Sequence, residues 1–494
     1  MLTITDLFCG AGGSSSGAGQ VPGVRVAMAA NHWRLAVDTH QANVPHADHD
    51  CADLSQVDPH RYARTDLLWA SPSCTHHSKA QGRRKAAQDT TLFDTPRNMN
   101  DADAAERSRA TMWDALRFAE HHQYRAMVVE NVVDVRDWVM WPAWRHALDC
   151  LGYLSRVVYL NSMHAGQLGD PAPQSRDRLY VIAWRHGERA PDLDRWTRPV
   201  VHCPACDTTA PAIQAWKRPD RGYGVYGRHG QYWWRCPTAG CHQIVHPPVL
   251  PAAAAIDWTI RGVRIGDRIE PLRPATIRRI RAGLARYGPA PTLVPAGGTW
   301  NDDARPVSEP MRTRTARETE GLAIPPLLVP VEGPQGVSTR PVRNPARTQT
   351  ARLQDALVVP PHHHATRPAA AHPPATLATS GEHHMLVSYY GNGSARPAAE
   401  PIATIPTRDR FALVGTNTPD VADCTFRMLN VAEIQAGMAI PSDFVLLGNA
   451  KRDKVRMLGN AVTPPAARDL IAALVEAITG DTVDQPHHTP GMAA

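Results

Sequence analysis

The residues best suited to chemistry in this 494-residue chain are thiols, carboxylates and guanidinium groups placed in short loops. Cys74 lies in LLWASPSCTHHSKAQG, residues 67–82, straight after a short apolar run, with Pro72 behind it and His76 and His77 ahead. A thiol there can be a nucleophile, a metal ligand or a buried inert side chain, the last being the commonest fate of a lone cysteine. Cys203, Cys206, Cys236 and Cys241 form a second group. Two residues separate the first pair, four the second, and 29 lie between the pairs. Four thiolates at such spacing suit a closed tetrahedral zinc site, which would fix a small domain with little core of its own. His202 and His242 flank these pairs, so a mixed ligand set stays open.

Such groups need elements to hold them. TDLFCGAGGSSSGA is a strand ending in a glycine-rich turn, which lets backbone N–H groups approach a ligand at the start of a helix. It lacks GxGxxG and the Walker lysine, which disfavours a dinucleotide or nucleoside triphosphate site. From residue 1 to about 185, strand-like runs (MLTITDLF, VRVAMAA, DLLWAS, AMVVENV, RLYVIAW) alternate with helix-like spans. In AERSRATMWDALRFAEHH, Met112, Leu116 and Ala119 recur at helical spacing just before the strand RAMVVEN. The alternation predicts an open α/β sheet with ligands at the C-terminal ends of its strands.

Composition bounds the setting. No run of roughly 18 apolar residues appears, and the N-terminus starts a strand at once, so the expectation is a soluble, unsecreted protein without a membrane partner. An odd cysteine count of nine, with four in two close pairs, suits reduced thiols and a cytoplasmic setting. A net charge of +6 permits a polyanionic partner without demanding one. After about residue 190 the character changes: a Cys- and Trp-containing segment (201–247) precedes a basic amphipathic helix with Ile277, Ile280 and Leu284 on one face. A Pro- and Thr-rich region follows, with four degenerate units beginning at Arg-Pro pairs (Arg305, Arg340, Arg367, Arg396). Proline forbids long helices there, and the composition favours short edge strands. From about 421 to 480 the α/β character returns, and 481–494 is a polar tail.

In order along the chain, DLFCGAGG, SPSCTHHS, Glu130-Asn131-Val132, Gln174-x-Arg176-x-Arg178 and GNAVTP (459–464) resemble the motifs of the DNA (cytosine-5) methyltransferase family. Five short motifs in the right order are far more specific than any one. The resemblance implies a doubly wound, Rossmann-like methyltransferase domain dependent on S-adenosylmethionine. Residues 1–190 would form its first part and 421–480 would complete it. Residues 191–420 would be a target recognition region, with a zinc-ribbon-like unit at 201–247 and the repeats at 293–414.

On this reading Cys74 is the nucleophile. Cytosine C5 is a poor nucleophile until a thiolate adds to C6 and forms an enamine. An acid at ring N3 eases that addition, and Glu130 would serve, with its pKa raised by burial so that it holds a proton. Arg176 and Arg178 would support the base and the acid, and are expected to point to opposite faces. The resemblance places the cofactor against Phe8, Gly10, Gly12 and Gly13, with Asp53 on the adenine amino group and Asn460 and Val462 closing the pocket. Two departures stand out: His32 occupies the position of the family's usual ribose-binding acid, and Ser73, Thr75 and His77 alter the cysteine loop. Duplex DNA is the expected partner, bound by a monomer of bacterial or phage origin, with a paired restriction endonuclease as a further partner. RNA methylation and a catalytically silent zinc-ribbon DNA-binding protein are the alternatives.

Overall fold

The computed structural model describes residues 1–73, 99–260, 262–272, 274–287, 291–296, 303–313, 320–324 and 420–484, together with the backbone of six short strands between 327 and 415. Its central sheet contains β1 (Leu2–Leu7), β2 (Val24–Asn31), β3 (Asp48–Cys51), β4 (Leu67–Ala70), β5 (Ala126–Asn131) and β6 (Tyr153–Asn161). β7 (Gln174–Ser175) stands outside it, and β8 (Asp177–Arg185) inserts between β5 and β6 to give the order β3-β2-β1-β4-β5-β8-β6. The first five strands run parallel, whereas β8 is antiparallel to both neighbours. This is a doubly wound α/β sheet whose order reverses between β1 and β4, the switch point where such sheets hold ligands.

Strand alternation divides the core in two. Leu67, Trp69, Ala126 and Val128 face one apolar cluster, while Leu68, Ala70, Met127 and Val129 face the other. β4 and β5 are therefore buried throughout, as strands covered on both faces must be. Helix α1 (Gly13–Ala18) lies on the first face, and α2 (Arg34–Asn43) packs on β2 and β3. α3 (Met99–His122) and α4 (Trp141–Cys150) cover the second, burying Met112, Leu116, Ala119 and Trp144 as helical spacing predicts. α5 (Leu193–Thr197) returns to the first face.

Beyond α5, β9 (Val200–Cys203) pairs with β10 (Thr208–Pro211), and β11 (Ile213–Trp216), β12 (Tyr232–Arg235) and β13 (Ile244–Val245) form a small sheet. A second, five-stranded sheet contains β14 (Val263–Arg264), β15 (Thr292–Pro295) and β16 (Arg305–Pro306). α6 (Pro274–Tyr287) packs on that sheet through Ile280 and Leu284, with Ile277 partly buried. β17 (Met311–Arg312) leaves it to pair with β7, and β18 (Glu320–Ile324) completes its middle.

Three of the four Arg-Pro pairs form edge strands of one recurring three-stranded unit. β15 pairs with β16 and β18, and β19 (Leu327–Pro330) pairs with β20 (Arg340–Pro341) and β21 (Asp355–Val358). β22 (His384–Ser388) likewise pairs with β23 (Ala395–Pro397) and β24 (Phe411–Gly415). The register is the same each time: Leu293, Leu328 and Leu386 sit opposite Arg305, Arg340 and Arg396 on one side. Leu322, Leu357 and Leu413 lie opposite them on the other side. The unit at Arg367 lies outside the described residues.

β25 (Thr425–Met428) joins β14 and β18, so the segment after 421 first finishes the inserted sheet. α7 (Val431–Gly437) and α8 (Lys451–Asn460) follow, and α9 (Pro464–Thr479) then slides beneath the central sheet, with Ala466, Leu470 and Leu474 in the first core cluster. No helix among the described residues is long and apolar enough to cross a membrane.

Candidate active site and metal centre

The loops that carry the motifs converge on one edge because their strands end there together. After β1, Cys9 N–H donates to Ala30 O at 3.1 Å, and after β3, Ala52 N–H donates to Asn31 O at 3.1 Å. The glycine-rich turn and the Asp53 turn therefore flank the end of β2. Ser71 N–H donates to Leu7 O at 3.1 Å, which roots the cysteine loop beside the same turn. Phe8 adopts φ 58° and Gly12 φ 107°, so the turn reverses through left-handed backbone. A Cβ on Gly13 would lie 2.0 Å from Val462 O, so the turn packs directly on the closing motif. Gly10 has open space where a side chain would stand, Phe8 is partly buried, and Asp53 is exposed with one oxygen accepting from Ser55 N–H at 3.1 Å. Asn460 is exposed at the end of α8, and Val462 is buried. His32 is exposed after β2. The open edge of the turn, an aromatic face and a free carboxylate oxygen suit a positively charged adenosyl ligand.

Beneath the turn lies a buried polar chain that the motifs do not announce. Asp6 Oδ2 accepts from Ser14 Oγ and from Ser15 Oγ, both at 2.6 Å. Having spent its proton there, Ser15 accepts from His40 Nε2 at 2.9 Å; a neutral His40 then accepts at Nδ1 from His49 Nε2, 2.8 Å away. Burial pushes the Asp6 carboxyl up to about 6, against the pull of the two serines, and pushes His40 down to about 3. His40 follows Ala36 by four residues on the buried face of α2, which is the sequence signal for it.

Glu130 is the penultimate residue of β5 and is 8% exposed. Its register neighbour Val129 pairs with Ala70, so Glu130 stands beside the root of the cysteine loop. Asn131 Nδ2 donates to Pro72 O at 3.3 Å, and Asn131 Oδ1 accepts from Val132 N–H at 2.8 Å, which fixes that root. Cys74, with Thr75, His76 and His77, lies outside the described residues. Arg178 Nε meets Glu130 Oε1 at 2.9 Å. Arg176 turns to the closing motif instead, donating through Nη2 to Ala461 O at 2.9 Å and Gly459 O at 3.2 Å. The two arginines do serve different partners, though not by strand alternation, since residues two apart in a strand share a face. Arg176 falls in the break between β7 and β8, and the break frees it to diverge. Gln174 is fully buried, and neither atom of its amide has a hydrogen-bond partner among the described residues, which leaves it able to meet a ligand or water.

The four cysteines Cys203, Cys206, Cys236 and Cys241 come together, their sulfurs all within 4.8 Å of one another. Cys203 and Cys241 are 3.7 Å apart, Cys206 and Cys236 3.5 Å, and none is in a disulfide. A tetrahedron with Zn–S bonds of about 2.3 Å has edges of about 3.8 Å, close to these two separations, so the donor set suits zinc. Tyr232 and Trp234 pack the core of this unit, and Trp233 is only partly buried.

Residues 2–211 match the model of the C-5 cytosine-specific DNA methylase family. The Type II methyltransferase M.HgiDI of Herpetosiphon aurantiacus is 29% identical over 194 residues, 38% of this chain and 54% of that protein. M.SsoII of Shigella sonnei, also a Type II methyltransferase, is 25% identical over 196 residues, 39% and 45% of the two chains. The chain thus spans about half the length of these relatives. Among solved structures, DNMT2 of Spodoptera frugiperda aligns over 96% of this chain and 100% of that one at 12% identity, with a TM-score of 0.44.

Proposed function

We propose that this protein transfers a methyl group from S-adenosylmethionine to C5 of a cytosine flipped out of duplex DNA, through a covalent bond between Cys74 and C6. The observation that carries this reading is the Glu130–Arg178 pair, held at 2.9 Å beside the Asn131-fixed root of the Cys74 loop. The family match to residues 2–211 supports it. Bound cofactor would supply an electrophilic methyl, held by Phe8, the backbone around Gly10, Gly12 and Gly13, Asp53, Asn460 and Val462. Extruding the base costs a few kcal/mol, offset by stacking and phosphate contacts.

The protein's own residues then act in sequence. The Cys74 thiolate adds to C6 while Glu130 bonds N3, with Arg178 orienting the Glu130 carboxyl. C5 takes the methyl group, a base removes the C5 proton, and elimination releases Cys74. Arg176 ties the arginine motif to Gly459 and Ala461, joining the two parts of the catalytic domain, 1–190 and 421–480. Residues 191–420 would recognise the target, with zinc on the four cysteines as a structural ion. A cytoplasmic enzyme working beside a restriction endonuclease, as the name of its Type II relatives suggests, completes the reading.

Labelled cofactor is offered with varied duplexes and, as a comparator, transfer RNA. Label on cytosine C5 of DNA is expected; no transfer to any duplex while cofactor binds would refute the function, and transfer to RNA alone would change the substrate. Bisulfite sequencing of a host expressing the protein would give the target sequence.

A further inference from the structure

The metal unit has a contact that target recognition does not require: it grips the arginine motif. Tyr226 N–H donates to Asp177 Oδ1 at 3.0 Å, and Asp177 is the residue between Arg176 and Arg178. Asp177 in turn offers its carbonyl oxygen to Arg178 Nη1 at 2.8 Å. The Arg178 guanidinium is therefore held at two points, Glu130 and the Asp177 peptide.

Tyr226 is itself held by the metal unit. The turn 225–231 is stapled to β12: Gln231 N–H donates to Val225 O at 2.7 Å, Val225 N–H to Gln231 Oε1 at 2.9 Å, and Gly227 N–H to Tyr232 O at 3.1 Å. β12 ends at Arg235, one residue before Cys236. The unit is docked firmly enough to transmit this. Trp234 Nε1 donates to His164 Nδ1 at 3.1 Å, Gln214 Nε2 to Tyr159 O at 3.0 Å, and Tyr223 OH to Asp137 Oδ1 at 2.6 Å. Asp177 is the first residue of β8, held on one side by its pairing with Asn161 of β6 and on the other by Tyr226. On the other side of the motif, Met311 N–H donates to Pro173 O at 2.9 Å as β17 pairs with β7.

We propose that the four-cysteine unit is a positioning clamp for catalysis, in which Tyr226 and Asp177 hold Arg178 on Glu130, so that metal binding sets the competence of the acid and not only the reading of DNA. The catalytic part of this rests on the methyltransferase reading above. Asp177 and Tyr226 are positioning residues: neither needs to touch the base.

The test uses the full chain, with zinc bound and after chelation, in two arms. In hydrogen exchange, chelation is expected to expose amides across 201–245 and to speed exchange at 176–179 by about tenfold, the loss of one hydrogen bond to a charged group. Asp177→Ala should speed 176–179 alike while the four thiols stay shielded from thiol reagent; Asp177→Asn, which keeps an acceptor for Tyr226, should not. In single-turnover methylation at saturating DNA and cofactor, chelation and Asp177→Ala should each lower the rate about tenfold, and together no more than either alone. Cofactor affinity of Asp177→Ala should stay within about twofold. Unchanged exchange at 176–179 after metal loss overturns the clamp, even if Asp177→Ala proves unstable. Additive rate losses overturn its route through Asp177. If no duplex is methylated by the unaltered protein, the catalytic reading fails and the exchange arm alone decides the clamp.

Discussion

Replacing Asp6 with asparagine should make the stability of the central sheet rise more steeply with pH. In the native chain the Asp6 carboxyl is raised from 3.8 to about 6 by burial, and Oδ1 is enclosed with no hydrogen-bond partner among the described residues. At 1.36 kcal/mol per unit, about two units amount to about 3 kcal/mol. The sign follows from proton counting. Between pH 3.8 and about 6 the folded chain holds a proton that the unfolded chain has released, so stability falls as pH rises through this window. His40 works in the opposite sense. Its imidazole is lowered from 6.5 to about 3, so the folded chain refuses a proton that the unfolded chain takes, and stability falls as pH drops from 6.5 towards 3.

In the unaltered protein these two slopes oppose each other over most of the same range. Asp6→Asn removes the first and leaves the second. Its side-chain oxygen can still accept from Ser14 and Ser15, while its NH2 group takes the unpartnered position at a cost of about 1 kcal/mol. The variant should therefore gain about 2 kcal/mol over the unaltered chain at about pH 8 and lose about 1 kcal/mol at about pH 4. Hydrogen exchange of the β1 amides, which reports opening of the central sheet, measures both without assuming that the whole chain unfolds in one step. Other carboxylates cancel in the difference. A stability difference that does not change with pH, or that favours the variant in acid, would refute the burial argument for Asp6.

Four further outcomes follow from the site. Cys74→Ser should abolish methyl transfer while leaving cofactor and DNA affinities within about twofold, checked by single-turnover rates beside equilibrium binding. Arg178→Met, which strips the ion pair from buried Glu130, should destabilise by about 3 kcal/mol and lower the transfer rate at least about a hundredfold; a rate near normal would remove Arg178 from the mechanism. Arg176→Met leaves Gly459 O and Ala461 O without their donor and should cost about 3 kcal/mol, read as faster exchange in α8 and at 461–463. Chelation should make all four ribbon thiols reactive and release one zinc per chain; fewer than four newly reactive thiols would reassign the ligand set.

How far the sequence reached depended on the range of each interaction. The sheet was legible because burial on two faces forces unbroken apolar runs, and β4 and β5 are such runs. The four-cysteine cluster was legible because spacing within each pair is local, and bringing 203 to 241 only requires one domain to close. Glu130 and Arg178 meet across adjacent strands, so knowing the sheet nearly gives the contact. The Arg176 contact is different in kind: it spans from residue 176 to 461, and no periodicity in either segment encodes it. Alternation could not have supplied its direction, since residues two apart in a strand share a face; Arg176 instead sits in the break between β7, which pairs with β17, and β8.

Asp177 shows why such contacts matter more than their invisibility suggests. In the sequence it is a spacer between two arginines; in the fold it joins the metal unit to the acid through one backbone N–H and one carbonyl. Both contacts use main-chain atoms, which every residue carries, so residue type at 226 could never have signalled the link. A carboxylate flanked by two arginines is the one feature of the sequence that points there, since three ionisable side chains in a row each need a separate partner. Glu130, Tyr226 and the carbonyls of the closing motif are those partners, supplied by three separate segments of the chain. On the proposed mechanism the insert aligns Arg178 as much as the sheet does, and a change in the four-cysteine unit should be felt at Glu130 before it is felt in the core.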